Sequence, residues 1–125
     1  QVVFTQDTHS ENYLSTQEGH YLPVEHCIIT TNGWKIVKEL DRDSCTHIIK
    51  HSFGSQNLSM YANGDVELVG VCTGICVISN AVILKAAYPE KKITIDASCC
   101  ACVTPESHRT ALNAMKLLQM DIVNE

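Results

Sequence analysis

Val66-Glu-Leu-Val-Gly-Val-Cys-Thr-Gly-Ile-Cys76-Val-Ile-Ser-Asn-Ala-Val-Ile-Leu-Lys-Ala-Ala87 is the stretch on which the fold turns. Val66 to Val71 is an apolar, strand-like run broken only by Glu67 and Gly70. From about Ile75 to Ala87 there is no internal Gly or Pro, which predicts a helix. A junction of this kind has unpaired N–H groups and the positive end of a helix dipole. Cys76 therefore sits where a thiolate is favoured over a thiol and where donors for an oxyanion are at hand. A buried structural cysteine is the plainer alternative, since free Cys is among the most buried residue types.

Outward from that junction, strands and helices alternate. Val2–Thr5 reads as a short strand, and His47–Ile49 as another that ends at Lys50. Lys92–Asp96 and Asp121–Val123 read as two more. Thr104-Pro105-Glu106 opens a helix to about Leu118, with Pro at its first position and an acid in its first turn. Gly33 to Leu40 predicts a turn of helix. Residues 7–32 are a long polar stretch with His, Gly and Pro, too long for an idle loop in a compact domain. Alternation of this kind implies right-handed crossovers and a mostly parallel sheet with helices on both faces. The expected class is α/β, a Rossmann-like three-layer sandwich.

Composition narrows the function. A chain of 125 residues is sized for one domain and a single core. A net charge of −5 with no basic cluster argues against nucleic acid and against an anionic membrane surface. No apolar run approaches a membrane span, and Gln1-Val-Val-Phe-Thr-Gln lacks the pattern of a signal peptide. The seven cysteines are an odd number and do not form the two paired C-x-x-C knuckles of a zinc ribbon. A reduced, cytoplasmic interior is expected. A homo-oligomer stays open.

Chemistry in such sheets gathers beyond the carboxyl ends of the strands. The three strand ends here offer Asp7 with His9, then Lys50, then Cys76. Asp7-x-His9 puts two potential ligands on one side of an extended segment. His26 could be a third ligand, and Glu18 could add an oxygen directly or through water. Two imidazoles and a carboxylate suit zinc, iron or manganese and leave open positions. The alternative is that Asp7 and His9 cap a turn and His26 is solvated. Lys50, if buried beside a carboxylate or thiolate, would steady developing negative charge; a lysine at the surface end of a strand is the alternative. Phe53 could wall a pocket or be an ordinary core ring. His20, His47, His51 and His108 read as surface or packing residues.

Taken together, Phe4-Thr-Gln-Asp7-Thr-His9, Glu18, Leu22-Pro-Val-Glu-His26-Cys27, Thr31-Asn-Gly-Trp34, Lys50 with Ser52-Phe-Gly-Ser55, Gly70-Val-Cys-Thr-Gly-Ile-Cys76-Val and Asp96-Ala-Ser-Cys-Cys-Ala-Cys-Val-Thr-Pro-Glu106 form an ordered set. In order and spacing the chain resembles nicotinamidases of the isochorismatase-like cysteine hydrolase superfamily over nearly its whole length. The resemblance implies the isochorismatase-like hydrolase fold and hydrolysis of nicotinamide to nicotinate and ammonia, a step of NAD salvage. It implies Cys76 as nucleophile, Lys50 as its catalytic partner, and Asp7, His9 and His26 as metal ligands, with Glu18 at the position of an additional one. It implies zinc, with iron or manganese as alternatives. A cis peptide between Val71 and Cys72 is implied as well, aiming the N–H groups of Cys72 and Cys76 at the oxyanion. Phe53 and Leu22 fall at substrate-contacting positions, and Leu22 stands where relatives often carry an aromatic. Relatives acting on isochorismate or carbamoyl compounds generally lack the Asp-x-His plus His set.

The chain departs from the family pattern in three ways. Family members begin with a strand carrying a catalytic aspartate, and Gln1 falls at the start of what would be their second strand. Only residues 51–65 separate Lys50 from Val66, the lower limit for a crossover with its helix. Gly74 stands where an acid is usual, and Cys102 where a small residue is common. Residues 1–125 are therefore expected to be a single isochorismatase-like hydrolase domain lacking its first strand and helix. A catalytically silent domain or fragment with a binding or assembly role is the alternative function.

Overall fold

Val3–Asp7 (β1) and Thr46–Lys50 (β2) are extended because β-branched and aromatic residues dominate them. They pair in parallel, from Val3 opposite Thr46 to Asp7 opposite Lys50. The computed structural model describes residues 1–125. It divides into two compact units, Gln1–Ser52 and Phe53–Glu125. β1 and β2 make the two-stranded sheet of the first unit.

Between those strands, residues 8–45 hold only short structure. A 3₁₀ turn at Tyr13–Ser15 leads into Gln17–Tyr21 (α1), capped by Thr16 Oγ1, which accepts from Gly19 N at 3.0 Å. Gly19 is required there: a Cβ would lie 2.1 Å from the carbonyl oxygen of Tyr13. An isolated parallel bridge joins His9 to Ile28, with His9 N donating to Cys27 O at 2.9 Å and Ile29 N to His9 O at 2.8 Å. This bridge returns the chain to the end of β1. The helical turn expected over Gly33–Leu40 is shorter, a 3₁₀ turn at Asn32–Trp34. Trp34 Nε1 donates to Thr8 Oγ1 at 2.8 Å, and Gln6 Nε2 donates to Trp34 O at 2.8 Å.

The second unit is a parallel three-stranded sheet, Val66–Val71 (β3), Ile93–Ala101 (β4) and Asp121–Val123 (β5), in the order β3-β4-β5. Ile78–Ala87 (α2) and Pro105–Leu117 (α3) are the crossovers. Ile93, Ile95 and Ala97 alternate into the core with Leu84, Leu112 and Met115. The β3–β4 register shifts between Leu68 and Gly70, where Gly70 takes a φ of 122° that only glycine adopts easily. Val69 and Val71 are exposed. The start of α3 is fixed by a reciprocal cap: Ser107 N donates to Thr104 Oγ1 and Thr104 N to Ser107 Oγ, both at 3.0 Å.

Three local expectations give way. The helix foreseen from Ile75 begins as a π turn, Thr73–Val77, and α2 starts at Ile78. Ile75 N and Val77 N both donate to Cys72 O, at 3.1 and 3.2 Å, which widens that turn. Residues 51–65 hold no α-helix; a 3₁₀ segment, Gln56–Tyr61, takes its place and buries Leu58. β4 runs past Asp96 to Ala101. The class itself is as expected: α/β, with parallel sheets and helices.

Candidate functional site

Four side chains of the first unit converge beyond the end of β1. One potential ligand atom from each of Asp7, His9, Glu18 and His26 lies within 4.8 Å of all the others. His9 Nε2 is 3.3 Å from Asp7 Oδ2 and 3.6 Å from Glu18 Oε1. His26 Nε2 is 3.7 Å from Asp7 Oδ2 and 3.6 Å from Glu18 Oε1. Three local structures deliver them: the strand end for Asp7 and His9, α1 for Glu18, and the bridge segment before Ile28 for His26.

Hydrogen bonding decides what this cluster can hold. His26 Nδ1 lies 2.8 Å from Val24 O, so Nδ1 carries the proton that it donates to that carbonyl. Its Nε2 then turns a lone pair to the centre, the arrangement of a ligating imidazole. His9 Nε2 is buried with no hydrogen-bond partner despite two carboxylates nearby. The His26 lone pair and the Asp7 and Glu18 carboxylates thus face one another, and the buried His9 Nε2 without a partner is costly. A divalent cation resolves both problems, and two imidazoles with carboxylates are an ordinary donor set for one. The residues fit a metal.

Lys50 flanks the cluster. Its side chain is only 2% exposed and its Nζ donates to Asp7 Oδ1 at 2.9 Å. It is not the surface lysine of the alternative. Asp7 therefore turns one oxygen to an ammonium and the other to the imidazoles. Leu22 is exposed, and its carbonyl accepts from Tyr13 OH at 2.9 Å.

Tyr13 escaped the sequence reading. It is fully buried, with its ring edge-on to His9 and His26 at centroid distances of 4.7 and 5.0 Å. Burial pushes its phenol upward, and the Glu18 and Asp7 carboxylates add to the effect. It walls the cluster while staying neutral. Its one sequence signal is the apolar pair Tyr13-Leu14 inside a polar run. His51, read as a surface or packing residue, sits with Nδ1 2.9 Å from Thr8 O.

The second unit carries five of the seven cysteines, Cys76 among them. Cys76 is half-buried inside the π turn that precedes α2. The peptide between Val71 and Cys72 is cis. Buried Thr73 is hydrogen-bonded through Oγ1 to His108 Nδ1 at 2.7 Å, which ties the turn to α3. His108 thus has a specific partner. The Cys72 thiol is pushed up, first by burial and then by the charges of Cys102 and Cys76. Phe53 is exposed. None of the seven cysteines is in a disulfide.

A family model described as the isochorismatase domain matches residues 1–124. The chain belongs to the isochorismatase family. It is a family of hydrolases, and solved structures similar to this chain include several amidases. A pyrazinamidase of Pyrococcus horikoshii in complex with zinc superposes with a TM-score of 0.84 at 23% identity, covering 98% of this chain and 74% of that one. A nicotinamidase/pyrazinamidase from Bacillus subtilis gives 0.80 at 23% identity, with the same coverage. A pyrazinamidase/nicotinamidase from Streptococcus mutans gives 0.77 at 25% identity, covering 97% and 74%. No curated protein matches by sequence. No helix of this isochorismatase-family chain is long and apolar enough to cross a membrane.

Proposed function

We propose that the chain is a metal-dependent cysteine amidohydrolase that converts nicotinamide to nicotinate and ammonia through a Cys76 thioester, a step of NAD salvage. The observation that carries this is the buried, unpartnered His9 Nε2 aimed at two carboxylates and a second imidazole. Membership of a hydrolase family and likeness to a zinc-bound pyrazinamidase support it. We assign residues 1–125 to a single isochorismatase-like hydrolase domain. A cytoplasmic setting is part of this reading.

Asp7, His9 and His26 would hold the ion, with Glu18 as an additional ligand. A divalent ion there, with zinc ahead of iron or manganese, would supply Lewis-acid chemistry for anchoring the substrate ring. Lys50 holds Asp7 in orientation and steadies negative charge as it develops. Cys76 attacks the carboxamide carbon as thiolate, and the N–H groups of Cys72 and Cys76 serve the oxyanion. The C–N bond breaks and the amine leaves as ammonia with the thiol's proton. Water then cleaves the thioester to nicotinate and restores the thiol. Leu22 and Phe53 are assigned to substrate contact.

Ammonia release from nicotinamide by metal-loaded protein is the test. Turnover that vanishes in Cys76→Ala while metal content is unchanged is the expected result. No ammonia from metal-loaded wild type overturns the proposal.

A further inference from the structure

Cys102 has the Ser107 hydroxyl and the N–H groups of Gly74 and Val103 around it, and the proposed reaction does not use it. It ends the segment that continues β4, and its Sγ lies where a Cβ on Gly74 would meet it at 3.4 Å. Gly74 is two residues from Cys72. The paired strands end beside them: Gly70 pairs with Cys100 and Val71 with Ala101, each one residue or two short of Cys72 and Cys102. Neighbouring parallel strands are about 4.8 Å apart, inside the Cα separation of about 4.4–6.8 Å that a disulfide spans.

The two thiols differ in character. Burial alone would raise Cys102, but the Ser107 hydroxyl, the N–H groups of Gly74 and Val103 and the Cys72 thiol outweigh it and hold it below the usual thiol range. Cys72 is held above that range, first by burial. Cys102 also lines an open groove of about 560 Å³ with Ile75, Val103, Ser107 and Ala111, wide enough for a small oxidant. A groove-lining thiol of lowered pKa beside a second, resolving thiol is the arrangement of a redox-reactive pair.

We propose that Cys72 and Cys102 are a dithiol modification site for peroxide-class oxidants, closing to a disulfide between the ends of β3 and β4. The Cys102 thiolate attacks one peroxide oxygen, the O–O bond breaks, and a sulfenic acid forms with release of one water. Cys72 sulfur then displaces the sulfenic hydroxyl, which leaves as a second water. The two thiols lose two electrons and two protons together, and the peroxide is reduced. The new bond ties the turn that carries Cys76 to the start of α3, and a dithiol reductant reopens it.

Peptide mapping of the full chain after hydrogen peroxide and alkylation tests this without any variant. Trypsin releases residues 51–85 and 93–109, and the expected product is one linked pair whose fragment ions place the bond between Cys72 and Cys102. Dithiothreitol should abolish it. A link through Cys76, Cys99 or Cys100 instead, or alkylated Cys72 and Cys102 after peroxide, overturns the assignment. In Cys102→Ser the linked pair should be lost with Cys72 still alkylatable; a surviving link from Cys72 overturns it too.

Discussion

Asp7 and Lys50 are register partners at the ends of two parallel strands, and their side chains meet at 2.9 Å with the lysine almost wholly buried. Truncating one member of a buried ion pair leaves the other charge uncompensated, at about 3–5 kcal/mol when both are buried. Asp7 is partly exposed, so Lys50→Met should cost less, about 1–3 kcal/mol in denaturant unfolding. Turnover should fall by roughly 10²-fold or more, since a stabiliser of developing charge is gone. Wild-type stability in the variant would remove the pair from the fold's support.

His26 makes its case through both ring nitrogens, one on Val24 O and one toward the cluster. Loss of an outer-shell partner alone costs about 10–100-fold in metal affinity, so loss of the ligand itself in His26→Ala should cost at least that. Competition against a chelator measures it. Unchanged metal affinity would take His26 out of the site.

Leu84 is 1% exposed in the core of the second unit. Leu84→Ala should destabilise by about 2–5 kcal/mol, the transfer loss plus the cavity left behind. Urea unfolding with an unchanged slope is the check; a loss below about 1 kcal/mol would mean that the site collapses around the smaller residue.

Asp96 accepts from Ser98 Oγ at 2.7 Å, and this bond, against some burial and aided by Asn124, holds its carboxyl below the ordinary value. A depressed folded pKa gives stability that is present above the unfolded value, near 3.9, and lost as pH falls through the folded one. The melting temperature of Asp96→Asn should therefore lie below wild type near neutral pH. The gap should narrow in acid, and a gap independent of pH would assign the effect to packing.

The fold was legible where periodicity and caps are local. β3 and β5 stand where their apolar runs place them, and Thr104-Pro105 marks the start of α3 because cap and φ preference are written in consecutive residues. The π turn at Thr73–Val77 was not, since it depends on one carbonyl, that of Cys72, receiving two N–H groups. Asp7 and His9 share a side by strand alternation alone. The approach of Glu18 and His26 needs the His9–Ile28 bridge and a glycine at 19, which no spacing rule supplies. Tyr13 stayed hidden because its role is to be a wall, and walls carry no motif.

The parallel register of β1 and β2 has one more consequence. A slip of one residue would turn Lys50 to the opposite face and set Ile49 or His51 against Asp7. Asp7 would then lose its counter-ion while still presenting its second oxygen to the imidazoles. The observed register alone gives Asp7 both sets of partners at once, an ammonium on Oδ1 and two imidazoles beside Oδ2.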